Sequence, residues 1–197
     1  MISITAIGEV PTGSYVSRLG AAVGDIVYVT GTIGDAALGL KVRTGELTNL
    51  ISSDESVLAD RYLLPRPRTE LAPLILEFAS ASMDVSDGLI ADVGKLCSAS
   101  KKAALIHLPS IPLSQAAANC VAEDSNWLET CVTGGDDYEI LFTVPSDIRR
   151  VFETAAGDLP FGITKIGEIC VGDELKIIDG SGQNAVFEKP GYLHRGE

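Results

Sequence analysis

The stretch Gly24-Asp25-Ile26-Val27-Tyr28-Val29-Thr30-Gly31-Thr32-Ile33-Gly34-Asp35-Ala36-Ala37-Leu38-Gly39-Leu40 decides the class of fold. Ile26 to Thr30 is rich in β-branched residues and reads as a strand. Gly31 and Gly34 frame a turn, and the small and aliphatic residues after Asp35 read as a helix. A strand followed by a glycine turn and a helix is the unit from which layered α/β structures are built.

The same alternation continues downstream. Ser52 to Leu64 reads as a helix stopped by Pro65, and Arg66-Pro67-Arg68 as a stiff connection before a helix through Leu71, Leu74, Ile75 and Phe78. Ala81 to Ser86 is a short strand, and Leu89, Ile90, Val93, Leu96 and Cys97 then recur on one helical face. A strand over 102–107 and two helical pieces over 115–121 and 126–132 precede the apolar strand 138–144. A helix over 147–155 and strands near 163–169, 175–178 and 185–187 complete the pattern. The class is therefore α/β (α+β), a mixed sheet with packed helices.

The opening residues Ile2 to Val10 read as a strand without a hairpin partner, stopped at Pro11-Thr12-Gly13. Residues 1–20 are accordingly expected to be the last strand and linker of a domain lying upstream, and residues 21–197 a second domain.

Composition narrows the function. A formal net charge of -12 over 197 residues argues against a nucleic-acid surface, which needs clustered Lys and Arg. No apolar run approaches the ~18 residues of a membrane span, so a cytoplasmic protein is expected. Cys97, Cys120, Cys131 and Cys170 are scattered, with no C-x-x-C pair, and read as buried thiols rather than as a zinc or redox site.

Two clusters carry the chemistry. In Asp84-Val85-Ser86-Asp87-Gly88, two carboxylates and a hydroxyl crowd a strand end where a helix begins. That suits magnesium, which takes one or two carboxylates with waters and phosphate oxygens, and a helix N-terminus offers N–H groups to phosphate. The same pentapeptide also reads as a helix cap by Ser86 or Asp87. In Gly134-Gly135-Asp136-Asp137-Tyr138-Glu139, glycines let the backbone approach a ligand, and Asp136 or Asp137 is placed to meet a metal or an organic cation. A tight turn with solvated acids is the alternative. Arg18, Arg66 and Arg68 are candidate phosphate donors, and His107 reads as a core or edge residue.

The segment from Gly34 to Lys41 ends Gly39-Leu40-Lys41 and misses the G-x-x-x-x-G-K-[ST] loop, which excludes a P-loop kinase. No H-R-D or D-F-G set is present, which excludes the protein-kinase arrangement. Use of ATP would require aspartates and metal ions instead, since phosphoryl transfer chiefly needs positioning and charge neutralisation.

Taken in order and spacing, Gly8-Glu9-Val10-Pro11 with Ser17-Arg18, Gly24-Asp25 through Gly34-Asp35, Arg61-Tyr62-Leu63-Leu64-Pro65-Arg66-Pro67-Arg68, Met83 through Leu89 and Thr133 through Glu139 resemble the thiamine-monophosphate kinase family. That family belongs to an ATP-binding group with aminoimidazole ribonucleotide synthase. The resemblance implies a synthase-like C-terminal domain that phosphorylates thiamine monophosphate with ATP by direct in-line transfer. It implies Mg²⁺ on Asp84 and Asp87, ATP contacts from Arg18 and Ser86, and a substrate contact from Asp136. The family's substrate-stacking aromatic falls near the C-terminus, where Lys189 stands at the matching place. Tyr192 is assigned that role, with Phe187 as the other aromatic nearby. The family is homodimeric and carries most metal-binding aspartates on an N-terminal domain outside this sequence, so the 197-residue chain is expected to bind nucleotide weakly and not turn over. Another ATP-dependent member of the group, or a non-catalytic structural domain, is the competing expectation.

Overall fold

The computed structural model describes residues 3–187 and Gly191. The expected strand–turn–helix is β1 (Ile26–Thr30) followed by α1 (Asp35–Thr44). There follow α2 (Ser52–Leu63), α3 (Ala72–Phe78), β2 (Ala81–Val85), α4 (Leu89–Ser100), β3 (Ala103–His107), α5 (Gln115–Glu123) and α6 (Trp127–Thr133). The remaining elements are β4 (Glu139–Val144), α7 (Arg149–Ala155), β5 (Ile163–Cys170) and β6 (Leu175–Ile178).

The six strands form one mixed sheet in the order β2-β4-β1-β5-β3-β6. Every pairing is antiparallel except β3 with β6. All five residues of β1 are buried because helices cover both faces of the sheet there. Val27 and Val29 point into the larger core with residues of α1, α2, α4, α5 and α6, whereas Ile26 and Tyr28 point to the other face. That second face is closed by Leu74, Ile75 and Phe78 of α3 and Phe152 of α7, with the Tyr28 and Phe142 rings stacked at 5.6 Å. The two-residue period of a strand thus feeds two separate cores from one segment.

Two expected strands do not form. Residues 3–10 make no ladder, and Ile4 and Ile7 lie about nine-tenths exposed. A strand is held by its neighbour's backbone groups, and residues 3–10 pair with none of the described strands. Residues 185–187 likewise form no strand; the chain makes one isolated bridge, Ile178 with Asn184, then packs Ala185 and Phe187 against the larger core.

Candidate functional site

β2 and β4 run antiparallel, with Asp84 opposite Ile140 and Val85 opposite Glu139. The C-terminal end of β2 and the N-terminal entrance of β4 therefore lie side by side, and the two sequence clusters meet. The Asp136 N–H donates to Ser86 O at 3.0 Å and the Tyr138 N–H to Val85 O at 2.8 Å. Between these turns, α1 and α6, a cavity of about 810 Å³ opens, lined by Ser86, Asp87, Asp136, Tyr138, Lys41 and Thr133 among others.

Two glycines make this contact possible. A Cβ on Gly135 would stand 2.3 Å from Ser86 O, and one on Gly88, whose φ is +110°, 2.3 Å from Thr133 O. Asp136 and Tyr138 both hold left-handed backbones, at φ 72° and 50°. Such conformations cost ~1–3 kcal/mol each and are concentrated at functional sites. They turn Asp136 and Tyr138 toward the cavity while Asp137 between them points into the protein.

The structure thereby separates residues that the sequence left as equals. Asp137 is buried, and its carboxylate accepts the N–H of Gly34 at 2.8 Å and of Ala36 at 3.3 Å. It caps α1 from across the fold, in place of the side chain that Gly34 lacks. Burial pushes the Asp137 carboxyl up to about 8, against the downward pull of those two amides and of Arg61. Glu139, also fully buried, accepts from Thr30 Oγ1 at 2.6 Å, Arg61 Nη2 at 2.8 Å and Arg68 Nε at 2.6 Å, with a second bond from Arg68 Nη2. Asp136 alone of the three acids faces the cavity, where it accepts from the Tyr138 hydroxyl at 3.3 Å. Burial and the carboxylates of Asp136, Asp84 and Asp87 raise the Tyr138 pKa, so the phenol stays protonated.

The arginine expectations are corrected in part. Arg68 is committed to Glu139 and lies 4.6 Å over the Phe161 ring, so it does not serve as a free phosphate donor. Arg66 pairs with Asp60 at 3.1 Å on the surface. Arg18 is exposed, and its carbonyl accepts from Ser100 Oγ at 3.0 Å, at the C-terminal end of α4. Ser86 stands at the N-terminal end of that helix, and twelve residues of α4 separate the two ends by about 16 Å. The described chain therefore sets Arg18 and Ser86 at opposite ends of α4. His107 is exposed at the end of β3, at the strand edge rather than in the core. Tyr192 lies outside the described residues.

Asp84 is exposed on the outermost strand, and Asp87 borders the cavity. Among the described residues no group of three or more His, Cys, Asp or Glu forms a cage for a metal. Two carboxylates at one strand end fit magnesium, which completes its shell with water and phosphate oxygens, and do not fit a closed structural site. The N-cap position of α4 is held by Gly88 rather than by Ser86 or Asp87.

Asp92 and Lys95 escaped the sequence reading. Asp92 is completely buried, and its Oδ2 accepts the N–H groups of Ser86 at 2.9 Å and Asp87 at 3.0 Å. It holds the cavity-lining turn from within α4. The spacing Asp92-x-x-Lys95 on a helix was the available signal. The cysteines are free thiols, and burial pushes Cys97 to about 11 and Cys131 to about 12, which keeps them protonated and inert.

The sequence profile of the family described as AIR synthase related protein, C-terminal domain, matches residues 22–180. Thiamine-monophosphate kinase of Salmonella typhimurium is 37% identical over 187 residues, which cover 95% of this chain and 57% of that protein. The crystal structure of thiamine-monophosphate kinase from Stenotrophomonas maltophilia K279a superposes with a TM-score of 0.79 at 35% identity, over 89% of this chain and 56% of that one. AaThiL complexed with AMPPCP and TMP superposes with a TM-score of 0.74 at 31% identity, over 90% and 54%. The chain spans a little over half the length of the curated relatives it matches.

Proposed function

We propose, for a chain that belongs to the AIR synthase related protein, C-terminal domain family, the role of the C-terminal part of a thiamine-monophosphate kinase. In this reading it serves ATP-dependent conversion of thiamine monophosphate to thiamine diphosphate. The observation that carries it is the cavity where Ser86 and Asp87 of one turn face Asp136 and Tyr138 of the other. Anion-directed and cation-directed groups then share one space, and thiamine monophosphate carries both a phosphate and a cationic ring.

The reaction needs little covalent help. A terminal oxygen of thiamine monophosphate bonds to the γ-phosphorus of ATP while the bond from that phosphorus to its β,γ-bridging oxygen breaks, and ADP leaves with the charge. The attacking oxygen is already anionic, so no residue has to remove a proton. Asp136 orients the substrate through its cationic ring, with the Tyr138 hydroxyl holding the carboxylate. Ser86, at the entrance to α4, donates to the nucleotide, as does Arg18. Asp84 and Asp87 would hold Mg²⁺, which when bound neutralises the crowded phosphates. Tyr192 is proposed to stack on the substrate. A homodimer in the cytoplasm, with two small anionic ligands and no nucleic acid or membrane partner, completes the reading. Residues 21–197 form the domain; the family match begins at residue 22, and the preceding segment is tied to the core near Arg18 through Ser100.

The test is calorimetric titration of thiamine monophosphate into the chain and into Asp136→Ala. Binding that falls at least about tenfold in the variant is expected, since loss of a charge-assisted contact is worth ~1.5–3 kcal/mol. Absence of binding to the unaltered chain, or equal affinity in both, overturns the reading.

A further inference from the structure

We propose that the ammonium of Lys95 occupies the cation position on Asp87, so that a divalent ion must displace it to bind this chain. The inference rests on the metal assignment above and goes beyond it, because it names a residue of this chain that sets the affinity of that ion.

Lys95 Nζ donates to Asp87 Oδ2 and, at 2.7 Å, to Asp92 Oδ1. Asp92 is immobile: its other oxygen is taken by two backbone N–H groups, and the residue is wholly buried one turn into α4. The lysine is therefore tethered at one carboxylate while its head lies on the second. Its side chain remains 41% exposed, against 22% for Asp87 and none for Asp92, so there is room for it to rotate away.

Asp87 borders the 810 Å³ cavity, and it is the carboxylate next to which an ion accompanying phosphate would sit. A divalent ion and an ammonium on the same carboxylate repel at close range. Binding of the ion then requires the Lys95–Asp87 pair to open, and the pair's strength is subtracted from the ion's affinity. Lys95 acts as a built-in competitor that keeps Asp87 neutralised until ion and nucleotide arrive together.

The experiment titrates Mn²⁺ into the nucleotide-free chain and follows the free ion by electron paramagnetic resonance. Lys95→Ala is expected to bind Mn²⁺ about fivefold tighter, the gain from removing an ion pair at the upper end of the partly exposed range. Lys95→Arg keeps a cation on Asp87 and should match the unaltered chain, and circular dichroism checks that each variant is folded. Asp87→Asn should lose the ion. If Asp87→Asn loses it while Lys95→Ala binds no tighter, the competitor role is overturned and the metal assignment stands. Should Asp87→Asn bind as the unaltered chain does, or should no form bind Mn²⁺, both are overturned.

Discussion

The Asp137 carboxylate accepts the backbone N–H of Gly34 at 2.8 Å, across 103 residues of chain. One acid in the turn before β4 thereby fixes the start of α1, the helix that supplies Ala37, Leu40 and Lys41 to the cavity wall. The neighbouring Asp136 faces the cavity instead.

That carboxyl should make stability pH-dependent in a direction opposite to most aspartates. Its folded pKa is raised to about 8 from 3.8, so the unfolded chain gives up the proton first. The Asp137 contribution is then fully present below about pH 4 and is lost as pH rises toward 8. Melting temperatures of the unaltered chain and Asp137→Asn, compared from pH 4 to 8, should show the difference moving against the unaltered chain by several degrees. A constant difference would contradict the raised pKa.

Breaking the buried cluster around Glu139 should be costly. Glu139→Ala leaves Arg61 and Arg68 without their shared carboxylate, and one-sided removal from a buried pair typically costs ~3–5 kcal/mol. Arg66→Ala, which touches only the exposed Asp60, should change stability by less than ~1 kcal/mol. Urea unfolding of both variants separates a structural arginine network from a surface pair.

Asp136→Gly should separate stability from binding. The left-handed φ of 72° costs glycine nothing, so unfolding free energy should stay within ~1 kcal/mol of the unaltered chain. Affinity for thiamine monophosphate should still fall at least about tenfold. A large loss of stability would assign Asp136 to the scaffold with Asp137.

Gly88→Ala should damage both. The added Cβ meets Thr133 O at 2.3 Å in a backbone conformation that L-residues avoid, and neither the strand end nor α6 can yield cheaply. A loss of ~2 kcal/mol or more is expected from thermal or urea unfolding, and the cavity between the two turns should lose its ligand in the same variant.

Local signals carried much of the fold. The β-branched run Ile26 to Thr30 gave β1, the spacing of Leu89, Val93 and Leu96 gave α4, and Pro65 ended α2 near its observed limit. Residues 3–10 carried an equally plausible strand pattern and formed none, because pairing is a property of two segments and the pattern describes one. The stretch 185–187 failed for the same reason.

By itself, the sequence determined that this chain builds helices on a sheet, and that its acids gather in two short clusters beside glycines. Those are consequences of periodicity and of backbone freedom, which act within a few residues. Only the tertiary structure decided where each acid points. The antiparallel register of β2 and β4 joins the clusters, and the left-handed turns at Asp136 and Tyr138 send Asp137 inward to α1 and Asp136 outward to the cavity. It also placed Asp92 and Lys95 behind Asp87 and moved Arg18 to the far end of α4. Burial and partnership separate chemically identical carboxylates, and both arise from segments far apart in the chain.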